Sequence, residues 1–103
     1  NTMVKYAIVN GATNKALDHF YGREIVAYND DTSHPNHQWN KHLTDGGYVA
    51  LTNEITGKAL ANFFGELIEA KDNNISDSHN QWKLLDAGEG YFALRNKATG
   101  KML

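Results

Sequence analysis

The chain contains no cysteine, so neither disulfides nor thiolate chemistry can contribute and its stability must come from packing. It carries no excess of basic charge. With a formal net charge of −2, it offers no cationic stripe to neutralise phosphates, which argues against nucleic acid as a partner. Long apolar runs are missing too. No window approaches the roughly 20 residues that cross a bilayer, so membrane insertion is not expected. The first ten residues lack the charged start and apolar stretch of a secretory signal. The lack of cysteine is compatible with a cytoplasmic chain or with one secreted without disulfides. Asn74-Ile75-Ser76 is a glycosylation acceptor pattern only in a secreted chain. Helical periodicity is also scarce: residues 65–72 could form a helix alone, but the segment aligned with them, residues 22–29, reads as strand.

What the chain does have is an internal repeat of 43 residues. Asn10, Asn53 and Asn96 keep this interval, as do Lys15, Lys58 and Lys101, and Leu17, Leu60 and Leu103. Trp39 and Trp82 keep it as well. Pairing residues 10–39 with 53–82 without a gap gives 12 identities in 30 positions, and residues 91–103 match 48–60 at eight of 13. The chain is therefore read as one domain over residues 1–103, with repeats at 1–43 and 44–86 and a partial repeat at 87–103.

Each repeat opens with an alternating stretch, which at period two argues strand. Tyr6 and Ile8, Val49 and Leu51, and Phe92 and Leu94 share one face. A turn-prone segment follows (residues 10–14, 53–57 and 96–100), then a short apolar segment that suggests a hairpin. A third strand is expected after Gly22 and Gly65, with Ile25 and Ala27, or Ile68 and Ala70, pointing inward. Polar loops at residues 29–37 and 72–80 then lead to a fourth strand starting at Trp39 or Trp82. Four strands per unit fits a propeller blade or one lobe of a three-lobed barrel; fewer than three units favours the barrel. Three full units would run well past residue 103. The chain is thus expected to be a fragment, an incompletely determined sequence, or a piece of an assembled protein, with apolar edges prone to self-association or to association with a missing segment.

The succession Ala16-Leu17-Asp18, Ile25-Val26-Ala27-Tyr28 and Asn36-His37-Gln38-Trp39 resembles the ricin B-type lectin unit, in its cysteine-free fungal branch. The second copy ends in His79-Asn80-Gln81-Trp82, so both copies keep the motif's tryptophan and the glutamine before it, while the leading glutamine of Gln-x-Trp is replaced by His37 and Asn80. The resemblance implies an all-β fold, a β-trefoil built from 43-residue repeats with the third incomplete. It also implies a non-catalytic lectin that needs no cofactor and has glycans as partners, of the galactose or N-acetylgalactosamine type. Trp39 and Trp82 are expected in the core, with their ring nitrogens partnered.

A saccharide site needs a carboxylate or amide to accept from vicinal hydroxyls, a donor, and an aromatic face. At the family's positions the first copy carries Asp18, Tyr28 and Asn36, with His37 in place of the usual glutamine. With Ile25 and Ala27 inward, Tyr28 should point outward. The imidazole of His37 would make binding depend on pH near neutrality. The second copy has Ala61, Lys71 and His79 at the positions of Asp18, Tyr28 and Asn36, and reads as structural.

An enzyme would have to draw on His34, His37 and His42 or on Asp30-Asp31. His34-x-x-His37 approaches metal spacing, but no carboxylate stands at a fixed distance from it, so no metal site is expected. No nucleophile-elbow serine is present, and no pair of carboxylates across a cleft is evident. The rival to a lectin is a protein-binding trefoil, acting as a protease inhibitor or as an interaction or targeting module of a larger toxin or hydrolase.

Overall fold

A computed structural model describes residues 4–19, 22–63 and 67–103. Strands β1 (Lys5–Tyr6), β4 (Trp39–Leu43), β5 (Val49–Asn53), β8 (Trp82–Gly88) and β9 (Tyr91–Asn96) form one antiparallel sheet in the order β1-β4-β5-β8-β9. Two hairpins stand beside it, β2 (Leu17–His19) with β3 (Ile25–Ala27) and β6 (Leu60–Ala61) with β7 (Glu69–Ala70). Their registers repeat at the sequence period: Leu17 faces Ala27 as Leu60 faces Ala70, and Tyr6 faces Trp39 as Val49 faces Trp82. The architecture is that of a β-trefoil. The third unit contributes β9 and the bridge from Arg95 to Met102, which matches the bridge from Thr52 to Ala59 one unit earlier.

The repeated asparagines tie these units together. Each caps the turn that follows its strand, accepting from two backbone N–H groups: Asn10 from Ala12 and Thr13, Asn53 from Ile55 and Thr56, Asn96 from Ala98 and Thr99. Asn53 and Asn96 are buried, and their amides also donate to the carbonyls of Asn36 and His79 at 2.9 and 2.8 Å. The same side chain thus fixes a turn and the polar loop of the preceding unit.

The core is Trp39, Val49, Leu51, Leu60, Trp82 and Leu94, with Ile8, Leu17, Ile25 and Ile68 packed against it. Both indoles are fully buried and donate to repeat-equivalent carbonyls, Trp39 to Leu17 at 3.1 Å and Trp82 to Leu60 at 2.8 Å. Burial corrects two expectations. Strand β5 is buried at every position, because it lies between β4 and β8 in the middle of the sheet, so its two faces do not divide into inside and outside. Tyr6 and Phe92 sit on the outermost strands and are exposed although their alternation places them with the core residues. Ala27 is exposed, not inward, while its counterpart Ala70 is buried. Residues 67–72 contain no helix, in agreement with the repeat; the remainder of the 65–72 segment, together with Gly65, lies outside the described residues.

Buried His19 links the first unit to the second. Its Nε2–H donates to the Arg23 carbonyl at 3.2 Å, leaving Nδ1 to accept from the Thr56 hydroxyl at 2.8 Å. One repeat later the amide of Asn62 does the same without a titrating group, donating to the Leu67 carbonyl at 2.7 Å and accepting from the Thr99 hydroxyl at 2.6 Å. Burial lowers the His19 pKa from its ordinary 6.5, with the Lys58 charge adding to the effect and the Arg23 carbonyl and Asp18 opposing it. The unfolded chain therefore binds the proton more readily. The contribution of neutral His19 to stability is complete above pH 6.5 and is lost as pH falls through that value toward the lower folded one. Glu54, Asp31 and Asp77 also have lowered pKa values, but they start from 4.5 or 3.8 and act only in more acidic solution. The wild type should lose urea resistance between pH 7.5 and pH 5, and His19→Asn should flatten that loss. Equal pH dependence in the two proteins would contradict the assignment.

Candidate functional site

The first unit brings three of its four candidate residues, Asp18, Tyr28 and His37, around one point and anchors the fourth, Asn36, through its backbone. Asp18 lies in the middle of β2, opposite Val26, and is only 3% exposed. His37 ends the short 3-10 turn Pro35–His37 and is 2% exposed. Its Nε2 is 3.7 Å from Asp18 Oδ2, beyond a good hydrogen bond and within ion-pair reach once the ring is protonated. The opposite nitrogen fixes the ring, since Nδ1–H donates to the Asp31 carbonyl at 2.5 Å. That bond leaves Nε2, in the neutral ring, as an acceptor turned toward the carboxylate.

Asp18 Oδ1 is buried and has no hydrogen-bond partner among the described residues. A buried carboxylate oxygen without a donor is costly, and among the described residues of the first unit this is the one buried side-chain oxygen where a hydroxyl of a bound molecule would remove such a cost. Tyr28 follows β3 and is 58% exposed; the preceding Ala27 is exposed as well, so its position past the strand end and not alternation puts it at the surface. Its ring meets His37 edge-on, with centroids 6.4 Å apart and planes at 73°. His34 lies on the other side of the imidazole at 5.2 Å. The arrangement therefore has a buried acceptor, an imidazole beside it and a phenol ring toward solvent.

The loop that carries Asn36 and His37 is braced by its own side chains. Asp31 accepts from the Ser33 amide and hydroxyl at 2.9 and 2.7 Å, which hold its carboxyl below the usual range. Gln38 donates to the carbonyls of Thr32 and Ser33, and His34 Nδ1 accepts from the Asn36 amide at 3.1 Å. Asn36 is anchored through its carbonyl by Asn53. Sequence reasoning singled out Asn36 for its side chain and missed both Asp31, whose carbonyl orients His37, and Asn53. The 43-residue recurrence of asparagine is the signal that could have located Asn53.

The second unit is built differently at the same positions. Ala61 is fully buried where Asp18 stands, and Asn80 replaces His37, donating to Asp72 Oδ1 and to the Asn74 carbonyl, both at 2.8 Å. His79 is bound to Asp77, whose carboxyl is held low by the His79 amide and ring. The His79 ring stacks on Phe63 at 5.2 Å and 19°, with the Lys71 ammonium 5.3 Å from the Phe63 centroid. Phe63 was not anticipated. This unit has aromatic surface but no carboxylate at the Asp18 position. No group of three His, Cys, Asp or Glu side chains able to hold a metal occurs among the described residues.

Comparison with known proteins places this geometry in context. The family model described as ricin-type beta-trefoil lectin domain-like matches residues 35–103. No curated protein sequence matches the chain. Among solved structures, a designed three-fold symmetric protein, ThreeFoil, superposes with a TM-score of 0.86 at 27% identity, covering 96% of this chain and 76% of that one. An exo-β-1,3-galactanase from Clostridium thermocellum gives 0.78 at 28% identity, over 98% of this chain and 23% of the enzyme. An endo-β-galactosidase from Clostridium perfringens that releases GlcNAcα1-4Gal gives 0.80 at 26% identity, over 93% and 24%. The chain thus spans about three-quarters of the designed protein and about a quarter of each glycosidase.

Proposed function

Because the chain belongs to the ricin-type β-trefoil lectin-like family, we propose that it is a non-catalytic carbohydrate-binding domain whose first unit takes a terminal galactose or N-acetylgalactosamine residue. The observation that carries this reading is the buried Asp18 carboxylate, with one oxygen unpartnered among the described residues and the other beside His37. Two vicinal hydroxyls can donate to Asp18, Nε2 of neutral His37 can accept from a third, and Tyr28 offers a face to the sugar's C–H surface. Asn36, next to His37 on the same short turn, would add its side-chain amide. The pocket groups are one carboxylate, one imidazole, an amide and a phenol, which suits hydrogen bonding to a sugar better than the paired carboxylates of glycoside hydrolysis. The two glycosidases support the same direction, since their names place them on galactose-containing glycans and this chain resembles about a quarter of each.

With so few hydrogen bonds competing against water, one site should bind with a Kd on the order of 0.1–1 mM. Multivalent presentation would raise the avidity. A glycan array read with and without free galactose tests the reading. Selective binding that galactose competes away is expected. A silent array from demonstrably folded protein would overturn it in favour of a protein-binding trefoil.

A further inference from the structure

The repeat supplies an internal control for the outer wall of the sheet. In the first unit, Lys5 on β1 faces Asn40 on β4, and Glu54 sits just past the end of β5. These three form a neutral node: Lys5 Nζ is 3.0 Å from one Glu54 oxygen, and the Asn40 amide donates to the other at 3.0 Å. Both contacts lower the Glu54 pKa, the Asn40 bond first.

One repeat later the same three positions are Tyr48, Lys83 and Lys97. The place that a carboxylate holds in the first unit is held here by a second ammonium. The Lys83 and Lys97 ammoniums lie 5.4 and 4.9 Å from the centroid of the one Tyr48 ring. Arg95 is directly opposite Lys83 in the β8–β9 ladder, where the first unit pairs Asn40 with uncharged Thr52. Like charges placed opposite one another in a sheet are unfavourable. None of the three cations has a carboxylate partner among the described residues, although the protein as a whole is slightly acidic. Arg95 and Lys97 are exposed and Lys83 and Tyr48 half-buried, so the cluster opens to solvent beside the Tyr48 ring.

We infer that Tyr48, Lys83, Arg95 and Lys97 form an anion-binding site, separate from the Asp18 pocket, that takes a sulfate or carboxylate group carried by an acidic glycan. The anion occupies the role that Glu54 fills in the first unit, and relieves the repulsion between the opposed cations. The anion site follows from charge and register alone. Its assignment to a glycan rests on the carbohydrate-binding reading above.

The test uses dextran sulfate, polygalacturonate and neutral dextran as probes at low ionic strength, with three variants. Lys97→Glu and Lys83→Asn install the residues that the first unit already carries at these positions, so the fold accommodates them, and Asp18→Ala serves as the control for the sugar pocket. The wild type and Asp18→Ala should bind at least one charged polymer and not neutral dextran, with affinity falling steeply as salt rises. Either lysine variant should lose about tenfold or more. The charged polymer that binds tells sulfate from carboxylate. Binding that both lysine variants retain, or no binding to either charged polymer, would overturn the anion site. Equal competition by a single-stranded DNA oligomer of matched charge would overturn the glycan assignment. Loss of galactose binding in Asp18→Ala alone would bear only on the pocket.

Discussion

Trp82→Ala should remove most of the protein's stability, leaving it largely unfolded or with a far lower urea midpoint. The indole is fully buried in the centre of the core, and truncating a buried tryptophan typically costs about 3–5 kcal/mol. The Leu60 carbonyl also loses its 2.8 Å donor, and a buried acceptor left unpaired adds about 1–3 kcal/mol. Domains of this size have only about 5–15 kcal/mol to lose. Trp82→Phe separates the two contributions, because it keeps most of the apolar volume and removes the N–H. It should lie well above the alanine variant and measurably below the wild type. Equilibrium urea unfolding checks this, and near-wild-type stability of Trp82→Ala would mean that the core is not organised around this residue.

Asp18→Ala should cut galactose affinity by about 10- to 100-fold, the loss expected when charge-assisted hydrogen bonds of about 1.5–3 kcal/mol are removed. Stability should change little or rise. Asp18 accepts no hydrogen bond through Oδ1 from the described residues, and its contact with His37 is long, so the carboxylate is buried with little compensation from them. A binding residue in this condition costs the unliganded protein stability and returns it to the ligand. Asp18→Asn should bind weakly as well, since an amide keeps the shape but accepts fewer and weaker bonds. Calorimetric titration with galactose, beside thermal unfolding of the same samples, reads both quantities. Unchanged affinity would remove Asp18 from the site. A collapse in stability would make it a structural residue.

Much of this was legible in the sequence because a repeat constrains every level at once. Trp39 and Trp82, 43 residues apart, could only be equivalent core positions, and both indoles make equivalent bonds to Leu17 and Leu60. Asp18 and Tyr28 each lie near His37 because β2, β3 and the Pro35–His37 turn follow one another in fixed order. The misreadings come from assuming that a two-residue period also fixes the depth of burial. Alternation assigns a face, but whether that face is covered depends on neighbours. Phe92 and Val49 occupy equivalent positions, and one is exposed on an edge strand while the other is buried in a central one. Ala27 and Ala70 differ likewise although both pair with a leucine at the start of a hairpin. Contacts that join distant segments, such as Asn53 to Asn36 and His19 to Thr56, were beyond pattern reading, as was the opposition of Lys83 to Arg95, which needs the strand register.

The central claim is that the first unit is a sugar pocket and the second is not. An amide-resolved NMR titration with galactose tests it most directly, because the repeat gives every probe an internal counterpart. Saturable shifts should cluster at Asp18, Tyr28, Asn36 and His37 and be absent at Ala61, Lys71, His79 and Asn80. Shifts at the second set, or none at either set at galactose concentrations well above 1 mM, the weak end of the affinity expected from about two or three hydrogen bonds, would contradict it.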